Sequence, residues 1–346
     1  MVPPSVTSPY LGDLQIASMS KEGCRVSRWR TAYVKVSEMN VDLKQVEEAC
    51  KELYIRALKL LPPDIKEGFR RLDASETDKT GKAILGTMIR NISVAEENQN
   101  LLCQDTGIPI YNVTIGSGVE VEGYALKQAI KRGCERATTE HPLRSSVVHP
   151  TTRKNQHTSS GRLVPVINSD VVQDADTLTI EMIPKGSGSE NNSWLKMAIP
   201  AEGIDAIKTF VVDCVLDAGG KTCPPTIVGV GVGGTADLCV HLSKVAATRP
   251  LGSQCEDAEG AKLEAELSKA VNQLGVGPQG LGGGHGRFGG IVNRILRSAG
   301  YETVAFVTNG HIRKSTGFAR GFARFEEGAG REPDDEGPTK QRIESF

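Results

Sequence analysis

The run Thr226-Ile227-Val228-Gly229-Val230-Gly231-Val232-Gly233-Gly234-Thr235 admits few structures. Its β-branched side chains favour an extended backbone, and a run this apolar is buried on both faces. It reads as a strand inside a core, ended by a glycine turn, with a helical pattern following at 236–246. The glycine spacing is not G-x-G-x-x-G, and no Gly-Lys-Ser/Thr comes after it. A close strand-to-helix turn is therefore favoured over a phosphate loop.

Around this strand the chain alternates between two periods. Leu43, Val46, Ala49, Cys50, Leu53 and Ala57 recur at three and four residues, the pattern of an amphipathic helix that starts at Asp42 and stops at Pro62-Pro63. Residues 64–72, 80–97, 125–138, 203–217 and 257–274 read as further helices, and Ile108–Ile115 as a strand. Val164–Val172 and Thr177–Ile183 alternate like two antiparallel strands joined by a turn at Asp174-Ala175-Asp176. The expected fold is mixed α/β, with several helices around a small antiparallel sheet and a poorly ordered C-terminal tail. Three regions follow: 1–40, a loose N-terminal extension; 41–283, the patterned domain; and 284–346, a divergent tail rich in Gly and Arg with a charged end.

At 346 residues and 38% hydrophobic content the chain can bury a real core, and no apolar run approaches a membrane span. Forty-one basic residues against 42 acidic ones give a net charge of −1, which argues against nucleic-acid or membrane-surface binding. Eight cysteines are scattered without a C-x-x-C pair, so a reducing, cytoplasmic setting is expected rather than a disulfide framework.

Two of those cysteines sit in unusual company. Cys103-Gln104-Asp105-Thr106-Gly107 places a thiol beside an amide and a carboxylate. Lys221-Thr222-Cys223-Pro224-Pro225 follows the glycines 219 and 220. Short, stiff connections suit a metal-binding thiolate, because coordination tolerates little movement. Two thiolates do not complete a site, so a third donor is required. Lys185-Gly186-Ser187-Gly188-Ser189-Glu190-Asn191 is rich in donors and can wrap a carboxylate with backbone N–H groups. Arg144, just ahead of Ser145-Ser146-Val147-Val148, is a candidate bidentate clamp for a dicarboxylate. Gly277-Pro278-Gln279-Gly280-Leu281-Gly282-Gly283 reads as an amide-bearing loop with no chemistry of its own.

Taken in order, Cys-Gln-Asp-Thr-Gly, Leu-Arg-x-Ser-Val-Val-x-Pro, Lys-Gly-x-Gly-Ser-Glu-Asn, Cys-Pro-Pro-x-Ile-Val-Gly-Val-Gly-x-Gly-Gly-Thr and Gly-Pro-Gln-Gly-Leu-Gly-Gly closely resemble the alpha-type domain of class I iron–sulfur hydro-lyases. That family comprises fumarate hydratases and L-tartrate dehydratases. The resemblance covers about residues 41–283. It implies a 4Fe–4S cluster held by three cysteines, its fourth iron open to a small dicarboxylate and acting as a Lewis acid on the departing hydroxyl. Cys103 and Cys223 match two cluster ligands. Gln104 and Asp105 match the substrate-contacting pair, with Asp105 orienting a proton-transfer group or the water. Arg144 matches the clamp on the far carboxylate, and Gly188 lies in the loop lining the pocket. The resemblance further implies a beta subunit carrying the swivelling domain and the proton-abstracting base, and a homodimer of alpha chains.

After Gly283 the chain departs from the family's pattern. Counted without gaps, Gly310 stands where the third cysteine is expected, Ser298 where a histidine is expected, and no cysteine follows Cys255. Two readings remain open: His311 supplies an imidazole as the third ligand, as His replaces Cys in Rieske-type clusters, or the tail no longer encodes family sequence through a shifted frame, altered splice or decay. Three functions stay in view: an active hydro-lyase alpha subunit, an inactive structural or regulatory relative, and a zinc or other metal protein using Cys103, Cys223 and His311.

Overall fold

The computed structural model describes residues 25–26, 33–36, 41–103, 105–173, 175–281, 291–297 and 303–308. Helix α1 (Leu43–Lys59) begins where the Asp42 carboxylate accepts the Lys44 N–H at 2.8 Å, satisfying an otherwise orphaned donor. The proline pair that ends it also starts the next helix. Pro63 is the first residue of α2 (Pro63–Ser75), where a missing N–H costs nothing. Helix α3 (Lys79–Glu97) is capped by Asp78, which accepts from the Gly81 N–H at 2.9 Å.

Strands β1 (Arg25–Val26), β2 (Tyr33–Val36), β3 (Ile108–Gly116), β4 (Val166–Val172) and β5 (Leu178–Lys185) form one sheet in the order β1-β2-β5-β3-β4. Helix α4 (Gly123–Glu140) packs with α1 over it, and Val46, Cys50, Leu53, Tyr54, Ile130 and Cys134 meet Tyr111, Leu178, Ile180 and Met182 in the core. The two helices approach closely at Gly133, where a Cβ would lie 2.4 Å from the Glu47 carbonyl oxygen.

The short helix α5 (Ser187–Glu190) leads from this sheet into a second one. Strands β6 (Asn192–Met197), β7 (Thr226–Val232), β8 (Ile291–Arg297) and β9 (Thr303–Thr308) lie in the order β6-β9-β7-β8. Helices α6 (Gly203–Ala218), α7 (Ala236–Thr248) and α8 (Ala258–Asn272) belong with it. Ile207, Val211, Val215, Val228, Val230, Leu263 and Leu267 form its core. The glycines of β7 are there for α7: a Cβ on Gly229 would lie 2.0 Å from the Ser243 carbonyl oxygen, and one on Gly231 2.1 Å from that of Cys239. Gly233 and Gly234 turn the chain at φ 88° and 78°. The run is thus a close strand-to-helix packing.

The mixed α/β class stands, but the strand pairing differs from expectation. Among the described residues there are two sheets, and both are mixed. β4 and β5 do not form a hairpin; β3 lies between them, parallel to β4 (Ile110 opposite Val166) and antiparallel to β5 (Ile108 opposite Lys185). Alternation tells which face of a strand is buried, not which strand sits beside it. Asp174, in the expected turn, lies outside the described residues. Within 1–40, β2 pairs with β5, Tyr33 opposite Glu181, so that extension contributes a strand to the sheet. Within 284–346, β9 is seated between β6 and β7, and the residues beyond β9 lie outside the description.

Candidate metal centre and substrate pocket

Seven cysteines are described and all are free. Cys50, Cys134, Cys214, Cys239 and Cys255 are buried, and burial pushes the Cys134 and Cys214 thiols up to about 12. They behave as small apolar core residues. Cys103 and Cys223 alone are exposed among the described cysteines. Partial burial raises the Cys223 thiol most, a hydrogen bond from the Gln279 side chain works against it, and Cys103 adds a smaller upward push.

Each thiol is set by the loops around it. Cys103 follows α3, and its sulfur accepts the Asp105 N–H at 3.4 Å. Leu102 N–H donates to the Leu58 carbonyl at 2.9 Å, fixing the approach. Cys223 follows the end of α6, where Gly219 takes φ 49°, and precedes a cis Pro224–Pro225 bond. The loop bearing Gln279 packs onto that corner: a Cβ on Gly280 would lie 2.4 Å from Gly220 Cα. Gln279 itself sits in the left-handed region at φ 57°, uncommon for a residue with a Cβ. The amide loop therefore does carry chemistry, as a donor to a thiol.

Asp105 is clamped. Its Oδ2 accepts from the Ser187 N–H at 2.9 Å and the Ser187 hydroxyl at 3.2 Å, and its Oδ1 accepts from the Gly107 N–H at 3.2 Å. The turn before α5 touches this carboxylate, since a Cβ on Gly186 would lie 2.8 Å from Oδ2. Gly107, at φ 72°, runs against the backbone of Lys185, leaving 2.6 Å for a Cβ. Gly188 stands in α5 itself, its carbonyl accepting from Asn192 Nδ2 at 2.8 Å. The Thr106 hydroxyl donates to the Arg144 carbonyl, tying the arginine's backbone to the residue after Asp105. The Arg144 side chain is exposed, and Tyr54 OH, its pKa raised to about 12 by burial, donates to the Thr106 carbonyl at 3.3 Å.

Cys103, Cys223, Asp105, Arg144 and Gly188 are thus linked through one set of loops at the meeting of the two sheets. Gln104 and His311 lie outside the described residues. Among the described residues no group of three His, Cys, Asp or Glu side chains is placed to hold a metal ion.

The sequence profile described as Fumarate hydratase (Fumerase) matches residues 47–317. The chain belongs to the fumarate hydratase family. This is a hydro-lyase family, and the match continues past Gly283 through β8 and β9 to take in His311. Among its relatives is the "Putative L(+)-tartrate dehydratase subunit alpha" of Methanocaldococcus jannaschii, 43% identical over 241 residues, which is 69% of this chain and 85% of that protein. The L(+)-tartrate dehydratase subunit alpha of Escherichia coli K12 is 33% identical over 248 residues, 72% of this chain and 82% of its own. That of Shigella sonnei matches to the same extent. Among the described residues no helix is long and apolar enough to cross a membrane.

Proposed function

We propose that this chain is the alpha subunit of a 4Fe–4S hydro-lyase, adding water to or removing it from a small dicarboxylate of the fumarate/malate or tartrate type. The observation carrying this reading is that the two exposed thiols are those of the family's motifs, and they share their loops with a clamped carboxylate and an exposed guanidinium. Cys103 and Cys223 would hold the cluster, with His311, inside the matched range, as the third donor. When bound, the cluster supplies Lewis acidity for the loss or uptake of hydroxide. Arg144 binds the far carboxylate of the substrate with paired N–H donors. Asp105, held from three sides, orients the proton-transfer group, which comes from a beta-type partner subunit. Gln104 contacts substrate beside it, and the Gly188 turn walls the pocket. The seven described cysteines, all free, accord with a reducing cytoplasm, and pairing of two alpha chains completes the assembly.

Turnover of tartrate, malate and fumarate by the anaerobically reconstituted chain with a beta-type subunit tests this. Arg144→Ala removes a charge-assisted contact of about 1.5–3 kcal/mol, so KM should rise roughly ten- to a hundredfold with kcat less affected. An unchanged KM would remove Arg144 from the pocket.

A further inference from the structure

Lys185 ends β5, its backbone against Gly107 in the loop of Asp105. Its side chain is only 15% exposed. The ammonium donates to the Ser189 hydroxyl and stands 3.7 Å from Glu190, whose other oxygen is held by Lys244 at 2.5 Å. Ser189 in turn donates to the Gly186 carbonyl at 2.8 Å. The ammonium, Ser189 and the Gly186 carbonyl therefore form a chain of bonds that closes the turn from beneath. The upper side of that same turn is Ser187, which holds Asp105 Oδ2 through its N–H and its hydroxyl. Gly186 leaves no slack, and the Lys185 backbone presses on Gly107. A shift of Lys185 is thus transmitted to Asp105 over two short contacts.

The geometry points to Lys185 as a positioning residue for Asp105: its ammonium holds the Gly186–Ser189 turn in the shape that aims the carboxylate. This rests on the hydro-lyase reading of the site. The groups facing the ammonium are Glu190 of α5, Lys244 of α7 and Asp105 of the thiol loop. Burial and Lys244 pull its pKa down to about 8 while Glu190 and Asp105 hold it up. The turn accordingly slackens as pH climbs through that value, and activity should fall on the alkaline side near pH 8.

The test is a double-mutant cycle in the reconstituted complex with its beta-type partner. Lys185→Met should lower kcat about ten- to a hundredfold with KM little changed, the range expected when a reacting group is displaced by about an ångström. Lys185→Arg should recover part of kcat and move the alkaline limb to higher pH. Combined with Asp105→Asn, Lys185→Met should add almost nothing, because both changes disable the same group. Losses that multiply, or an alkaline limb unmoved in Lys185→Arg, would overturn the proposal. A readout without turnover accompanies it. In the unloaded chain at pH 7, Lys185 should react faster with an amine-acylating reagent once Asp105→Asn removes a neighbouring negative charge, and an unchanged rate would also overturn it. Failure of the wild-type complex to turn over any of the three dicarboxylates would sink the hydro-lyase reading instead, leaving the acylation rate to decide whether Lys185 and Asp105 are coupled.

Discussion

At the scale of single residues, the candidate site holds a group in a state that burial disfavours. That group is Lys185, a nearly buried ammonium flanked by a second lysine. Its pKa near 8 lies below the roughly 10.4 of an unfolded lysine, so between those values the folded chain binds fewer protons than the unfolded one. Its contribution to stability therefore rises with pH across that window, and below pH 8 the full burial cost is present. Lys185→Met should be more stable than wild type to urea at pH 7, with the gain shrinking between pH 8 and 10. Equal or lower stability at pH 7 would contradict the burial argument. Much of the candidate site was legible as single letters: a thiol next to Gln-Asp, an arginine before a strand-like run, a loop of donors. Less legible was what those letters lean on. Nothing in Gly-Pro-Gln-Gly says the Gln reaches a cysteine more than fifty positions earlier. Lys185 read simply as the end of an alternating strand.

At the scale of elements, periodicity located the pieces well because each signal is local. The helices α1 to α4 and α6 to α8 and the strand β7 fall where apolar spacing, caps and prolines put them. Pairing was not legible, since β3 inserts between β4 and β5 through contacts distant in sequence. β8 and β9 are short, mostly apolar runs in a stretch whose glycine and arginine content masks them. The glycines of β7 were read as a turn signal, and the structure adds that two of them admit α7 onto the strand. Gly231→Ala should cost about 1–3 kcal/mol or more, since the new Cβ would lie 2.1 Å from a backbone carbonyl that cannot move without the helix. Chemical denaturation would show it. A loss under 0.5 kcal/mol would mean that α7 is not held that closely.

At the scale of the whole molecule, two sheets with their helices bring separate stretches of chain to one place. The first sheet presents Lys185 and the loop of Asp105, the second the corner carrying Cys223, and the loop of Gln279 closes over it. The described residues supply two open thiols, and among them no group of three metal-binding side chains is placed together. The central claim is that these thiols hold an iron–sulfur cluster. Anaerobic reconstitution with iron and sulfide, followed by iron and acid-labile sulfide analysis, tests it most directly on wild type, Cys103→Ala and His311→Ala. About four irons and four sulfides per wild-type chain are expected, with both substitutions abolishing or sharply lowering that content. Iron no higher in wild type than in Cys103→Ala would contradict it.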